Sequence, residues 1–258
     1  RALGELATRR FFTPAALAVG RWLLSSAPPH AVLLRNGDMD TYPLHVLQAS
    51  EGLRRDVAIV NLSLLNAAAY RRVIRDRHAL PIPDSLLGDE PAPVRDAADE
   101  IVYVGEAVVS GWARAVASGT LGRALAITTT VPSPPVPQEW LVLDGPRWIV
   151  TPGHVGLPVD TSAVRTNLLA LRAGDFAGPW VSEADRSPIR RIHSPGMSNN
   201  LLAAANHYVL AVGRDSPEAA AMRLWAMTFV RDAGFGAEAR AFAANLGDSV
   251  GHSESEHP

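Results

Sequence analysis

The sequence predicts an α/β fold, in which a small parallel-sheet, Rossmann-like domain precedes a C-terminal helical appendage of tetratricopeptide-like character. Three short, uniformly apolar runs support the sheet, at 31–34, 57–60 and 124–127. Apolar runs without alternation are typical of strands that are buried on both faces. Because helical patterns separate the runs, the strands should be parallel and joined by crossover connections.

Helix signals flank the first two strands. Thr13 and Pro14 form a good helix start, with Thr as N-cap and Pro at the first helical position, and predict a helix to about residue 26. A second helix should begin near Pro43, and a third should run from 66 to 78 with Asn66 as its cap. The segment 79–95 is rich in Pro and Asp and predicts a surface loop.

The second half of the chain should continue the alternation of strands and helices and then become entirely helical. We expect a helix at 106–118, a hairpin at 141–150 turning at Asp144-Gly145, and a helix at 159–172. Alanine-rich helices should follow at 199–212, 217–231 and 237–246. The predicted organisation is therefore an α/β domain over 1–185, a helical hairpin appendage over 186–247 and a disordered tail over 248–258.

Composition narrows the classes of function. The formal net charge is −2, which gives no electrostatic reason to expect a nucleic-acid partner. There is no cysteine, so disulfides, thiolate nucleophiles and Cys-based zinc sites are excluded. No segment has the roughly 20 apolar residues of a membrane span. The chain opens at Arg1 without a signal peptide, which suggests a processed or truncated product.

Polar residues follow each predicted strand, where open parallel sheets bind their ligands. The candidate ligand-binding residues at these strand ends are Asn36, Asp38, Asp40, Thr41, Asn61, Ser63 and Thr129. Asp38-Met39-Asp40 resembles the Asp-X-Asp signature with which nucleotide-sugar glycosyltransferases hold a divalent metal, so Asp38 and Asp40 are candidate ligands of Mg²⁺ or Mn²⁺. The alternative is structural: Gly37 turns the chain, and Asp40 or Thr41 accepts a backbone N–H to cap the next helix.

Other patterns are weaker. The Asp-X-Asp-X-Thr motif of haloacid-dehalogenase phosphatases fails by one residue, because Thr41 directly follows Asp40. Arg71, Arg72 and their neighbours at 75 and 77 have helical spacing and predict a solvated helix face. The eight histidines have no metal-ligand spacing, and His207 should be a packing or hydrogen-bonding residue of its helix.

The block Asn36-Gly37-Asp38-Met39-Asp40-Thr41-Tyr42-Pro43-Leu44 resembles the post-membrane segment of a bacterial membrane-protein family that is similar to protein O-mannosyltransferases. The resemblance extends through 55–66 and 123–132 and covers roughly 14–230. Two departures are Met39, where the family usually has Asn, and His45, which replaces an aromatic residue. In such transferases the catalytic acidic residues lie in an early extracytoplasmic loop, so the resemblance assigns no catalytic residue here.

The resemblance implies a non-catalytic accessory or recognition domain beside a membrane-embedded transferase portion, on the extracytoplasmic face of the membrane. The alternative is binding or transfer of a sugar or nucleotide sugar by the Asp38/Asp40 loop with a divalent metal. A third hypothesis is a scaffold whose C-terminal helices grip a peptide. Whether the chain is an enzyme stays open, since any glycosyltransferase-related catalytic part would lie outside it.

Overall fold

A computed structural model describes residues 12, 14–89, 94–95, 100–131, 133–176 and 201–246. The chain begins with helix α1 (Pro14–Ser25), strand β1 (Val32–Arg35), helix α2 (Asp38–Ser50) and strand β2 (Ala58–Asn61). A 3₁₀ turn (Ser63–Asn66) leads to α3 (Ala68–His78), a second 3₁₀ turn (Asp84–Leu86) and the short strands β3 (Val94–Arg95) and β4 (Ile101–Val102).

The second half contains α4 (Val104–Ala117), β5 (Leu125–Thr128), a third 3₁₀ turn (Gln138–Trp140), β6 (Leu141–Leu143) and β7 (Arg147–Val150). It ends with α5 (Thr161–Leu169), α6 (Ala173–Phe176), α7 (201–212), α8 (Pro217–Asp232) and α9 (Ala237–Ala244). The predicted tail at 248–258 lies outside the described residues.

The main sheet has five strands in the order β2-β1-β5-β7-β6. Strand β1 pairs in parallel with β2 and β5 on its two sides, as the apolar runs predict. The predicted hairpin is also present, and its strand β7 pairs antiparallel with β5. The fold is therefore mixed α/β, with a parallel half and an antiparallel half in one sheet.

Alternate residues of the parallel strands feed two hydrophobic cores. Leu33 and Ile59 face α1 and α2, where they pack with Leu44 and Leu47. The intervening residues of β1, β2 and β5 face the opposite core, which includes Trp112 of α4. Covering both faces explains why these strands are apolar throughout.

The helical part packs on the α/β part through a third core. Leu201 and Leu202 of α7 and Phe229 of α8 belong to the same buried cluster as Trp22 of α1 and Leu143 of β6. Within the helical part Phe229 contacts Trp225, with ring centroids 5.2 Å apart. His207 packs edge-on against Trp148 at 5.5 Å, which confirms the packing role expected for it.

Two predictions of helix starts were wrong. Helix α2 begins at Asp38 rather than near Pro43, because Gly37, with φ of 80°, turns the chain directly out of β1 and leaves Pro43 inside the helix. Asn66 does not cap α3, whose N-cap is Ala67. Instead the Asn66 Oδ1 atom accepts the N–H of Gly105, 3.0 Å away, at the start of α4.

The segment 79–95 is also more than a surface loop. Leu80 and Ile82 are buried in the core beside α4, and the end of the segment forms β3, which pairs with β4. Arg71 is fully buried rather than part of a solvated face, and it donates hydrogen bonds to the carbonyls of Leu86 and Gly88. The loop is thus fixed from inside by an arginine of α3.

Replacing Gly105 by Ala should lower the free energy of unfolding by about 1–3 kcal/mol. A Cβ atom at Gly105 would lie 2.9 Å from the carbonyl oxygen of Leu62 and 3.1 Å from Cβ of Leu65. These two atoms belong to the backbone or are bonded directly to it, so they cannot move aside as the end of a flexible side chain can. The measurement is urea unfolding of both proteins.

The matched control is Gly111→Ala in the same helix, where the nearest atom to an added Cβ is the Arg114 Nη2 atom at 4.0 Å. This variant should keep or gain stability, since Ala is the better helix former by about 1 kcal/mol. Equal stability changes at Gly105 and Gly111 would contradict the close approach at Gly105.

Candidate functional site

The predicted site lies at the carboxyl edge of β1 and β2. The loop after β1 contains Asn36 and Gly37, and β2 ends at Asn61. The connection from β1 runs over one face of the sheet through α2, and the chain later crosses β1 to reach β5 on the other side. The strand order therefore reverses at β1, which is where open α/β sheets form a crevice.

Four of the candidate residues form two hydrogen-bonded pairs across this edge. The Ser63 hydroxyl donates to the Asn36 Oδ1 atom at 2.8 Å. The Asn61 Nδ2 atom donates to the Thr41 hydroxyl at 3.3 Å, and both residues are buried, with 1% and 2% exposure. The ends of β1 and β2 therefore bring these four side chains together, as the sequence predicts.

Both residues of the buried pair make a further hydrogen bond within the protein. The Thr41 hydroxyl donates to the Gly37 carbonyl at 2.7 Å, and the Asn61 Oδ1 atom accepts the N–H of Leu64 at 3.3 Å. Thr41 therefore does not cap α2 by accepting an N–H, as the structural alternative supposed. Its hydroxyl connects the start of α2 to the preceding turn and to the end of β2.

Thr129 follows β5 on the other side of β1. Its hydroxyl donates to the carbonyl of Pro146 at 3.3 Å, and its backbone N–H donates to the same oxygen at 3.2 Å. The neighbouring hydroxyls of Thr128 and Thr130 are hydrogen-bonded to each other at 2.7 Å. Thr129 thus joins β5 to the turn of the β6–β7 hairpin, whereas the Thr128 hydroxyl bonds to the carbonyl of Leu34 in β1.

The two candidate metal ligands lie in the first turn of α2. Asp38 is its first residue and is exposed to solvent. Asp40 belongs to the same turn, but its side chain lies outside what the structure describes. Among the described residues, no three His, Asp or Glu side chains lie close enough together to hold a metal ion. The amide oxygens of Asn36 and Asn61 each accept a hydrogen bond from within the protein.

Two residues of this edge were not anticipated. Tyr70 of α3 accepts the backbone N–H of Asn61 at its hydroxyl oxygen, 3.0 Å away. Burial raises the pKa of Tyr70, and the hydrogen bond from Asn61 partly opposes this. Asn66 binds the N–H of Gly105, as described above. The sequence marks both residues only as polar residues that follow β2, which does not specify their hydrogen-bond partners.

His45 lies in α2, where the resemblance described above implies an aromatic residue. Burial, together with the positive charges of Arg77 and His78, lowers the pKa of His45 to about 4. The neutral form is therefore the stable one in the folded protein near pH 7, and the imidazole substitutes for an apolar ring.

Replacing Thr41 by Val should cost about 2 kcal/mol of stability, because Val keeps the shape but leaves the Asn61 amide and the Gly37 carbonyl without this partner. Chemical unfolding at neutral pH measures the loss. Asp38→Asn, a neighbouring change at an exposed site, should cost less than about 1 kcal/mol. Similar effects of the two substitutions would argue against a structural role for the Thr41–Asn61 pair.

The pKa of His45 predicts a loss of stability in acid. In the unfolded chain a histidine binds a proton below about pH 6.5, whereas folded His45 binds one only below about pH 4. Between these values the unfolded state binds more protons, so stability should fall as the pH falls, by at most about 1.4 kcal/mol per pH unit from this residue. His45→Phe should reduce the slope of stability against pH over this window, while an unchanged slope would show that His45 titrates normally.

A protein-family model matches the first part of the chain. Residues 16–103 match the family model described as TMEM260-associated domain 2. The match contains α1, β1, α2, β2, α3 and the β3–β4 ribbon, and covers about a third of the chain. No curated protein and no solved structure shows significant similarity to the chain. The match fits a family linked to TMEM260, and it includes the whole of the carboxyl edge formed by β1 and β2.

Proposed function

We propose that this chain is a non-catalytic accessory or recognition domain associated with an O-mannosyltransferase-like membrane protein. The observation that carries the proposal is the match of residues 16–103 to TMEM260-associated domain 2, which coincides with the Asn36–Leu44 block that resembles the post-membrane segment of such transferases. Within the described residues no helix is both long and apolar enough to cross a bilayer. A membrane-embedded partner portion would therefore be supplied by another segment or another chain.

The hydrogen bonds of the carboxyl edge favour a recognition or accessory role over catalysis. Asn36, Thr41, Asn61 and Ser63 bond to one another or to nearby backbone, so the polar groups of the motif hold α2 and β2 in place. A catalytic edge needs groups whose hydrogen bonds are directed at the substrate. On this interpretation the motif fixes the shape of the sheet edge.

Two finer assignments belong to the same proposal. We interpret β1, β2 and β5 with their helices as a Rossmann-like half-domain, and the helices at 201–246 as a tetratricopeptide-like appendage. The exposed residues Leu224 and Met227 lie three apart on α8 and Phe242 is exposed on α9, which suits a helical pair that recognises another protein. The extracytoplasmic face of the membrane is the location that the resemblance suggests.

The alternative function is binding of a sugar or nucleotide sugar with Mg²⁺ or Mn²⁺ at Asp38 and Asp40. The feature in its favour is the exposed carboxylate of Asp38 at the point where the strand order reverses. It predicts that the metal binds the folded state and raises its melting temperature.

Thermal unfolding with millimolar MgCl₂ or MnCl₂, alone and with GDP-mannose, separates the two functions. The accessory function predicts no rise specific to the divalent ions, and equal curves for the wild type, Asp38→Asn and Asp40→Asn. A rise that both substitutions abolish would favour the metal-dependent alternative.

The accessory function itself is tested by association. The chain should co-elute on size exclusion with a purified, detergent-solubilised O-mannosyltransferase-like membrane protein encoded in the same genome. Absence of co-elution together with mannosyl transfer by the isolated chain would overturn the proposal. Thr41→Val, if still folded, serves as a probe of whether the sheet edge contributes to the contact.

A further inference from the structure

A long groove runs beside α4, on the opposite face of the sheet from α1 and α2. Its volume is about 1020 Å³, at the upper end of the usual range for ligand pockets of about 300–1000 Å³. One wall comes from the loop before β3, with Pro81, Pro83 and Leu86. The other comes from the segment 133–137 and Trp140, and the β3–β4 ribbon borders the groove. None of the candidate residues of the carboxyl edge lines it.

Small residues of α4 leave space along the groove. Ala107, Gly111 and Ala115 are spaced four apart, so they lie on one stripe of the helix, and all three line the groove. Among the described residues, a Cβ atom added at Gly111 would have only the Arg114 Nη2 atom within 4.0 Å. The space beside the stripe is therefore open to a ligand rather than filled by side chains.

The walls offer few hydrogen bonds to a ligand. Four prolines line the groove, at 81, 83, 135 and 137, and proline has no backbone N–H. The Ser110 hydroxyl donates to the carbonyl of Pro135 at 2.7 Å, and the Trp112 indole donates to the carbonyl of Pro81 at 2.7 Å. A peptide in this groove would lose water from its carbonyls and find few donors on these walls, whereas a hydrocarbon chain has no such cost.

Two charged residues of α4, Glu106 and Arg114, also line the groove and carry opposite charges. Glu106 accepts the N–H of Tyr103 at 3.2 Å and lies in the first turn of α4. Arg114 lies in the last turn, is exposed, and has no hydrogen bond or ion pair within the described part of the chain. Glu106 and Arg114 are eight positions apart, which corresponds to about 12 Å of helix. Glu106 repels an anionic group and Arg114 attracts one, while Arg95 of β3, which also lines the groove, already has an interaction partner within the protein.

From these features we propose that the groove binds a fatty carboxylate, with its hydrocarbon chain along the Ala107–Gly111–Ala115 stripe and its carboxylate beside Arg114. The proposal does not depend on the accessory function. It would hold for an isolated chain with no membrane partner, and a failure of either proposal leaves the other intact.

The test is calorimetric titration of the folded chain with dodecanoate below its micelle concentration, with octanoate as the shorter homologue. Dodecanoate should bind, and octanoate should bind at least about tenfold more weakly, because each buried methylene contributes to affinity. Gly111→Leu fills the groove and should weaken dodecanoate at least tenfold. The matched control is Ala117→Leu, an exposed position of α4 that does not line the groove, and it should leave affinity unchanged.

Head-group charge gives an independent readout. Dodecyltrimethylammonium has the same chain and the opposite charge, and should bind the wild type more weakly than dodecanoate. Arg114→Glu should weaken dodecanoate about twofold to fivefold, as expected for an exposed ion pair, and strengthen the ammonium compound. Gly111→Leu should retain its melting temperature, since Leu is a better helix former than Gly, so a loss of binding cannot be attributed to unfolding.

Three outcomes would overturn the proposal: no dodecanoate binding by the wild type, equal binding by the wild type and Gly111→Leu, or binding of an apolar peptide such as Leu-Pro-Leu-Pro-Leu in place of dodecanoate. Equal affinity for the two head groups in both the wild type and Arg114→Glu would remove the role of Arg114 and with it the proposed orientation.

Discussion

Two arginine side chains bind the carbonyl groups at the C-terminal end of α1, and the arrangement of the molecule depends on this contact. Arg54, in the loop before β2, donates to the carbonyls of Leu24 and Ala27 at 3.0 Å and 2.9 Å. Arg147, the first residue of β7, donates to the carbonyls of Leu23 and Ser26. The last carbonyls of a helix have no partner within the helix, and cations stabilise that end. One helix end is thereby tied to both halves of the sheet.

The contact matters because α1 lies between the sheet and the helical part. Its Leu23 and Leu24 pack with β1 and β2, whereas Ala18 and Trp22 belong to the core of α7, α8 and α9. The Trp22 indole donates to the carbonyl of Asn167 in α5 at 2.9 Å. Arg147 is fully buried, and its guanidinium also binds the Asp144 carboxylate at 2.9 Å. Burial raises the pKa of Asp144 and lowers that of Arg147, so the pair costs desolvation that the surrounding carbonyls must offset.

The sequence predicted the strands and helices well because those signals are local. The three apolar runs lie within one residue of β1, β2 and β5, and the Asp144-Gly145 turn predicted the hairpin. What the runs do not specify is that β7 joins β5 and makes the sheet mixed, because partner choice depends on contacts distant in sequence. The arginines were missed for the same reason: Arg71 has the spacing of a solvated face, and only the packing of the loop over α3 buries it. At the candidate site, convergence of Thr41 with Asn61 followed from the parallel sheet, whereas the direction of their hydrogen bonds did not.

The matched segment contains the whole carboxyl edge but only part of the groove. The match to TMEM260-associated domain 2 ends at residue 103, immediately before α4. Pro81, Pro83 and the β3–β4 ribbon lie inside the matched segment, while the α4 stripe and the segment 133–137 lie outside it. The carboxyl edge of β1 and β2, by contrast, is entirely inside. The carboxyl edge therefore lies within the matched segment, whereas the groove combines residues inside that segment with residues that follow it.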